Sequence, residues 1–68
     1  MSTEPLKNTL KDFANLEKIR TMEKMEQVSE LIPKIPDLPF IDLMTTKLAL
    51  MNEYLIALNK FLEEQDGN

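Results

Sequence analysis

The side chains able to do chemistry in this chain are carboxylates and amines, because histidine and cysteine are both absent. Two acidic pairs stand close in sequence, Glu23 with Glu26 and Glu63 with Glu64. Paired carboxylates perform general acid–base catalysis when a desolvated cleft pushes their pKa values apart. A chain of 68 residues with two helices has no obvious cleft of that kind, so these pairs read as solvated helix surface and a frayed helix end. Nucleophilic catalysis through Ser–His or Cys–His is excluded by composition. Zinc, iron and copper lose their usual ligands, and no D-x-D-x-D-G loop offers calcium or magnesium a cage. The single glycine, Gly67, cannot build a phosphate-cradling loop. The expectation is a protein with no catalytic residues, no cofactor, no metal and no small-molecule substrate, and therefore not an enzyme.

The amines are the next candidates. Lys7, Lys11, Lys18, Arg20 and Lys24 cluster in the first half, but Asp12, Glu17, Glu23 and Glu26 are interleaved with them. Several stand at helical pairing distances, such as Glu4 with Lys7, and Arg20 with Glu17 or Glu23. With eight basic against twelve acidic residues, the net charge of −4 disfavours a phosphate backbone or an anionic leaflet. Direct nucleic-acid binding is not expected. No apolar run approaches the roughly eighteen residues that would span a membrane, so none is expected to. Met1-Ser2-Thr3-Glu4-Pro5 lacks the basic and apolar regions of a secretory signal. An intracellular address, nuclear or cytoplasmic, is the corresponding expectation.

The elements that carry these side chains are set by proline and glycine. One glycine is too few for the turns of an all-β fold, and the commonest residues are helix formers. Pro5 suits a first helical turn, with Thr3 or Glu4 before it as caps. Pro33, Pro36 and Pro39 recur every three residues, each removing a donor and pushing its predecessor toward extended geometry. The spacing predicts an all-α chain, a single module over 1–68: a helix over 5–31, a proline-rich, polyproline-like strap over 32–38, and a helix over 39–65. Asp37, or Asp42, is placed to cap the second helix, and Gly67 to stop it. Both a closed helical hairpin and an open helix pair satisfy this layout.

In the second helix Met44, Leu48, Met51, Leu55, Leu58 and Leu62 alternate spacings of four and three. A parallel row, Leu43, Lys47, Leu50, Tyr54, Ala57 and Phe61, widens the apolar face beyond a two-stranded coiled-coil seam. Such a face meets at least two other helices. The first helix is less regular. Leu6, Leu10, Phe13 and Ala14 share one face, to which Met25, Val28, Leu31 and Ile32 return. Between them Leu16, Ile19 and Met22 recur every three residues, so the stripe winds around the helix by about 60° per step. A single partner helix covers one side only. Leu16, Ile19 and Met22 are therefore expected to dock outside the hairpin, a mid-helix kink being the other solution. Methionine suits adaptable surfaces, with Met22 expected at an interface and Met44 and Met51 in core filling.

A core this small supplies only a few kcal/mol, and neither disulfide nor metal is available to reinforce it. The missing stability points to another protein chain, the same or different. Candidate interface residues are Leu16, Ile19, Met22, Met44, Leu48, Met51, Leu55, Leu58 and Leu62.

Residues 38–67 resemble the Sas/Utp family of nuclear RNA-processing, exosome-cofactor adaptors. In that family a helix carries a lysine and, seven residues later, a tyrosine, with aliphatic residues between. Lys47 and Tyr54 stand at that spacing, with Leu48, Leu50 and Met51 in the aliphatic places. Leu38-Pro39-Phe40-Ile41 is similar to the apolar lead-in of some members, and Gly67 falls near their helix-ending glycine. The family's Lys/Arg-rich tail, which carries RNA contacts, has no counterpart here. The resemblance implies a nuclear adaptor that clamps a protein, such as an exosome-associated nuclease, between its helices. Three readings follow: an adaptor or subunit of a larger complex, a small acidic regulator that occludes a target in the manner of a phage protein or antitoxin, and a self-associating helical bundle.

Overall fold

The computed structural model describes residues 4–66. Two long helices, α1 (Glu4–Leu31) and α2 (Leu38–Asp66), flank one 3-10 turn, Ile32–Lys34. Thr3 and Gly67, the expected cap and stop residues, lie outside the described residues.

Proline chemistry explains the elbow. α1 runs for 28 residues and gives way to the tighter 3-10 turn at Ile32, the residue before Pro33. The turn closes when the Ile35 N–H donates to the Ile32 carbonyl at 3.2 Å. Ile35, preceding Pro36, is extended at φ −88° and ψ 123°. The expected polyproline-like strap over 32–38 is thus corrected: its first half is a helical turn, because Pro33 stands at the start of that turn, where an N–H would go unused, and the Ile35 N–H closes it.

Asp37 then restarts the chain as a helix. Its Oδ1 accepts the Phe40 N–H at 2.9 Å and its carbonyl accepts the Ile41 N–H at 3.0 Å. Leu38 and Pro39 fall in the first turn, where a missing N–H costs nothing.

The chain is an all-α helical hairpin, and the closed arrangement is the one adopted. Placed end to end, helices of 28 and 29 residues would reach about 85 Å. The observed extents are 57 × 14 × 14 Å, so the helices lie side by side. A hydrogen bond from the Tyr54 hydroxyl to Glu17 Oε2, 2.6 Å long and spanning 37 positions, ties their middles together.

The seam between them is asymmetric. From α2 come Ile41, Met44, Leu48, Met51, Leu55, Leu58 and Leu62, all half-buried at alternating spacings of three and four. From α1 come Lys7, Lys11, Ala14, Lys18, Thr21, Met25, Val28 and Ile32, at the same alternation. Ala14 and Thr21 are the buried residues of this row, at 5% and 8% exposure. Their small side chains admit the long α2 side chains opposite, while the half-buried lysine stems cover apolar surface. The shared face expected for Leu6, Leu10, Phe13 and Ala14 is corrected accordingly: Ala14 alone among them is buried, and the other three are exposed. The cause is register. The elbow aims the row ending in Met25, Val28 and Ile32 at α2, and at about 100° per residue that row reaches the N-terminal half through lysines rather than leucines.

Candidate functional site

With the seam fixed, each helix turns its remaining apolar residues outward on two flanks. On α1, Leu6, Leu10, Phe13, Glu17, Arg20 and Lys24 follow one another at helical spacing on one flank, with Leu31 continuing toward the elbow. On α2, Leu43, Lys47, Leu50, Tyr54, Ala57 and Phe61 do the same. The Tyr54–Glu17 bond shows that these rows lie on the same flank. Between them runs an open groove of about 580 Å³, lined in part by Glu17, Arg20, Thr21 and Lys24 of α1 and by Lys47, Met51 and Tyr54 of α2. Toward the ends the flank is apolar, with Leu6, Phe13, Leu43 and Leu50 each 58–65% exposed.

The polar middle has one resolved electrostatic feature. The Tyr54 hydroxyl is held above its usual pKa of 10.0, first by the hydrogen bond it donates to Glu17, then by desolvation and by the nearby carboxylate charge. The phenol is a cross-helix clasp in its neutral form.

The opposite flank and the outer surface carry fewer apolar groups. Leu16, Ile19 and Met22 are 44%, 55% and 53% exposed, so they contribute nothing to the seam. Ile56 of α2, at 54%, points away from Tyr54. Met44, Leu48, Met51, Leu55, Leu58 and Leu62 stand in the seam against α1, with part of their surface accessible. The nine candidate interface residues therefore occupy two different places, three outside the hairpin and six between its helices. Leu43, Leu50, Phe13 and Leu6 are not among those nine residues. The second α2 row was the available signal for the first two, and nothing in the spacing of α1 marked the others as outward.

No protein-family model, curated protein or solved structure matches the chain.

Among the described residues no group of three or more acidic side chains could hold a metal ion, and no helix is long and apolar enough to cross a membrane. What the arrangement offers is area. The surface of 5444 Å² exceeds the roughly 4,400 Å² expected of a compact protein of this mass by about 1,000 Å². The radius of gyration, 15.9 Å, compares with about 11 Å for a compact chain of equal length.

Proposed function

We propose that the chain is a non-enzymatic protein-interaction module that completes a helical bundle by laying its exposed apolar faces against another protein chain. One observation carries this reading. Thirteen large apolar side chains are exposed, whereas Ala14 is the one buried apolar residue among those described. Exposure on that scale is unfavourable by roughly 25 cal/mol for each Å² of apolar surface that a partner could cover. Large exposed apolar patches mark interaction sites.

The resemblance of residues 38–67 to the Sas/Utp adaptors supplies a candidate setting, a nuclear RNA-processing complex. Lys47 and Tyr54, its two landmarks, line the same groove, which supports a shared role in recognition. Imaging of the tagged full chain distinguishes nuclear from cytoplasmic residence.

The reading is tested on the purified chain at low concentration, by urea unfolding followed with circular dichroism and by binding of an apolar dye. The expected result is a weakly folded, dye-binding monomer whose helicity and unfolding midpoint rise on association. A monomer that resists unfolding by more than about 5 kcal/mol and binds no dye would have a sufficient core of its own, and would refute it.

A further inference from the structure

We infer that the Tyr54 flank is the contact face of a symmetric dimer, in which a second copy of the hairpin lies across it with its elbow at the opposite end, forming a four-helix bundle. The dimer presupposes that the chain is an interaction module, and it names the partner.

Area favours a second copy. Two separate chains expose 5444 Å² each, while a compact protein of twice 7.9 kDa exposes about 7,300 Å². Those figures cap what pairing could hide at roughly 3,600 Å² in total; a face 57 Å long and 14 Å wide between Cα positions supplies about 800 Å² per copy, ~1,600 Å² together, the size of a stable specific interface. Shape agrees. A compact domain of about 100 residues has a radius of gyration near 13 Å and is roughly 34 Å across, too short for a hairpin 57 Å long. A second hairpin matches that length.

The order of residues along the flank suits a two-fold axis. A two-fold contact requires a surface that complements its own inverse. In α1, inversion about the point between Glu17 and Arg20 sets Leu6 against Leu31, Leu10 against Gln27, Phe13 against Lys24 and Glu17 against Arg20 of the second copy, each twice over. In α2, inversion about the point between Leu50 and Tyr54 sets Leu43 against Phe61, Lys47 against Ala57 and Leu50 against Tyr54 of the second copy. Apolar meets apolar at the ends, opposite charges meet at the centre, and between them lysine stems lie over Phe13 and Ala57 with no like charges opposed. The two inversion points belong to one axis, because the Glu17–Tyr54 bond places both at the same height in the hairpin.

Charge on the flank is nearly balanced. The groove on this flank is lined by Glu17 and Glu23 against Arg20, Lys24 and Lys47, a net of +1 in a chain of net −4. The acidic surplus that would repel a second copy lies elsewhere on the molecule.

The test is sedimentation equilibrium of the full chain over a wide concentration range. The expected species is a dimer. Leu6→Glu and Leu50→Glu, at sites 63% and 65% exposed in the hairpin, should each weaken it by roughly 100-fold, whereas Ile19→Glu and Ile56→Glu leave it intact. Arg20→Glu should weaken the dimer, and adding Glu17→Arg in the same chain should restore it. Because the chain has no cysteine, single introduced thiols report the geometry. Leu6→Cys mixed with Leu31→Cys should form a disulfide-linked pair under oxidation. Linkage of Leu31→Cys with Leu43→Cys instead would place both elbows at one end and overturn the arrangement. Loss of the dimer through Ile19→Glu or Ile56→Glu, with Leu6→Glu and Leu50→Glu silent, would overturn the assigned flank. A wild-type chain monomeric at every concentration overturns the dimer: if that monomer is weakly folded and binds apolar dye, the interaction-module reading stands, and if it is firmly folded, both fall.

Discussion

Leu55 and Ile56 are neighbours of similar size, and the hairpin treats them oppositely. Leu55 is half-buried in the middle of the seam, and Ile56 is 54% exposed on the flank away from Tyr54. Replacing Leu55 by Asp removes about half the burial energy of a leucine, on the order of 1 kcal/mol. Lower helix propensity adds up to about 0.5 kcal/mol, and partly desolvating a carboxylate at this half-buried site adds on the order of 1–2 kcal/mol. The sum, roughly 3 kcal/mol, equals most of what a core of this size supplies, ~3–5 kcal/mol. Leu55→Asp should therefore lose most of its helical circular dichroism, together with association. Ile56→Asp forfeits little beyond helix propensity and should stay within about 1 kcal/mol of wild type. Urea titrations of the three proteins at equal concentration provide the comparison. Equal destabilisation by the two substitutions would show that the seam does not run through Leu55, and the register described above would be wrong.

Three further outcomes follow. Lys18→Leu puts an apolar side chain into a half-buried seam position and should stabilise the chain by about 1 kcal/mol, raising the melting temperature by roughly 4–8 °C in calorimetry. Asp37→Ala removes the acceptor of the Phe40 N–H and should cost about 1 kcal/mol, while Asp37→Asn retains most of the cap; equal losses in urea titrations would discount the cap. Tyr54 has a folded pKa raised above 10.0, so its neutral form is favoured by folding, and its contribution is present below the unfolded pKa and lost as pH rises through the folded one. Thermal melts of the wild type should decline more steeply above about pH 10 than those of Tyr54→Phe; matching profiles would show that the clasp contributes nothing.

The second helix was legible because its pattern and its environment agree. Met44 through Leu62 keep an unbroken four-three alternation, and the partner helix lies along that row. The break between helices was legible for a similarly local reason, since proline geometry and the Asp37 cap act within a few residues. The seam of α1 was not. Apolar patterning reads residue type, and the row that faces α2 contains Lys7, Lys11 and Lys18, while Leu6, Leu10 and Phe13 sit one step around the helix. Which row faces inward is decided by the direction in which the elbow launches α2, a property of the connection that helix periodicity does not encode. The outward placement of Leu16, Ile19 and Met22 did follow from their winding stripe. The long flank centred on Tyr54 was visible only in half, because its α1 row is interrupted by Glu17, Arg20 and Lys24 and becomes continuous only beside α2.

The unequal seam has a mechanical consequence. Beside the prolines, Met25, Val28 and Ile32 oppose Ile41, Met44 and Leu48, whereas at the far end Lys7 and Lys11 lie along Leu58 and Leu62. The fastening therefore changes in kind along the molecule, from apolar chains beside the hinge to lysine stems at the tips. A pair of tweezers built this way is held by grease at its hinge and by long, solvated side chains at its points, so salt and pH act on one end and apolar solvents on the other.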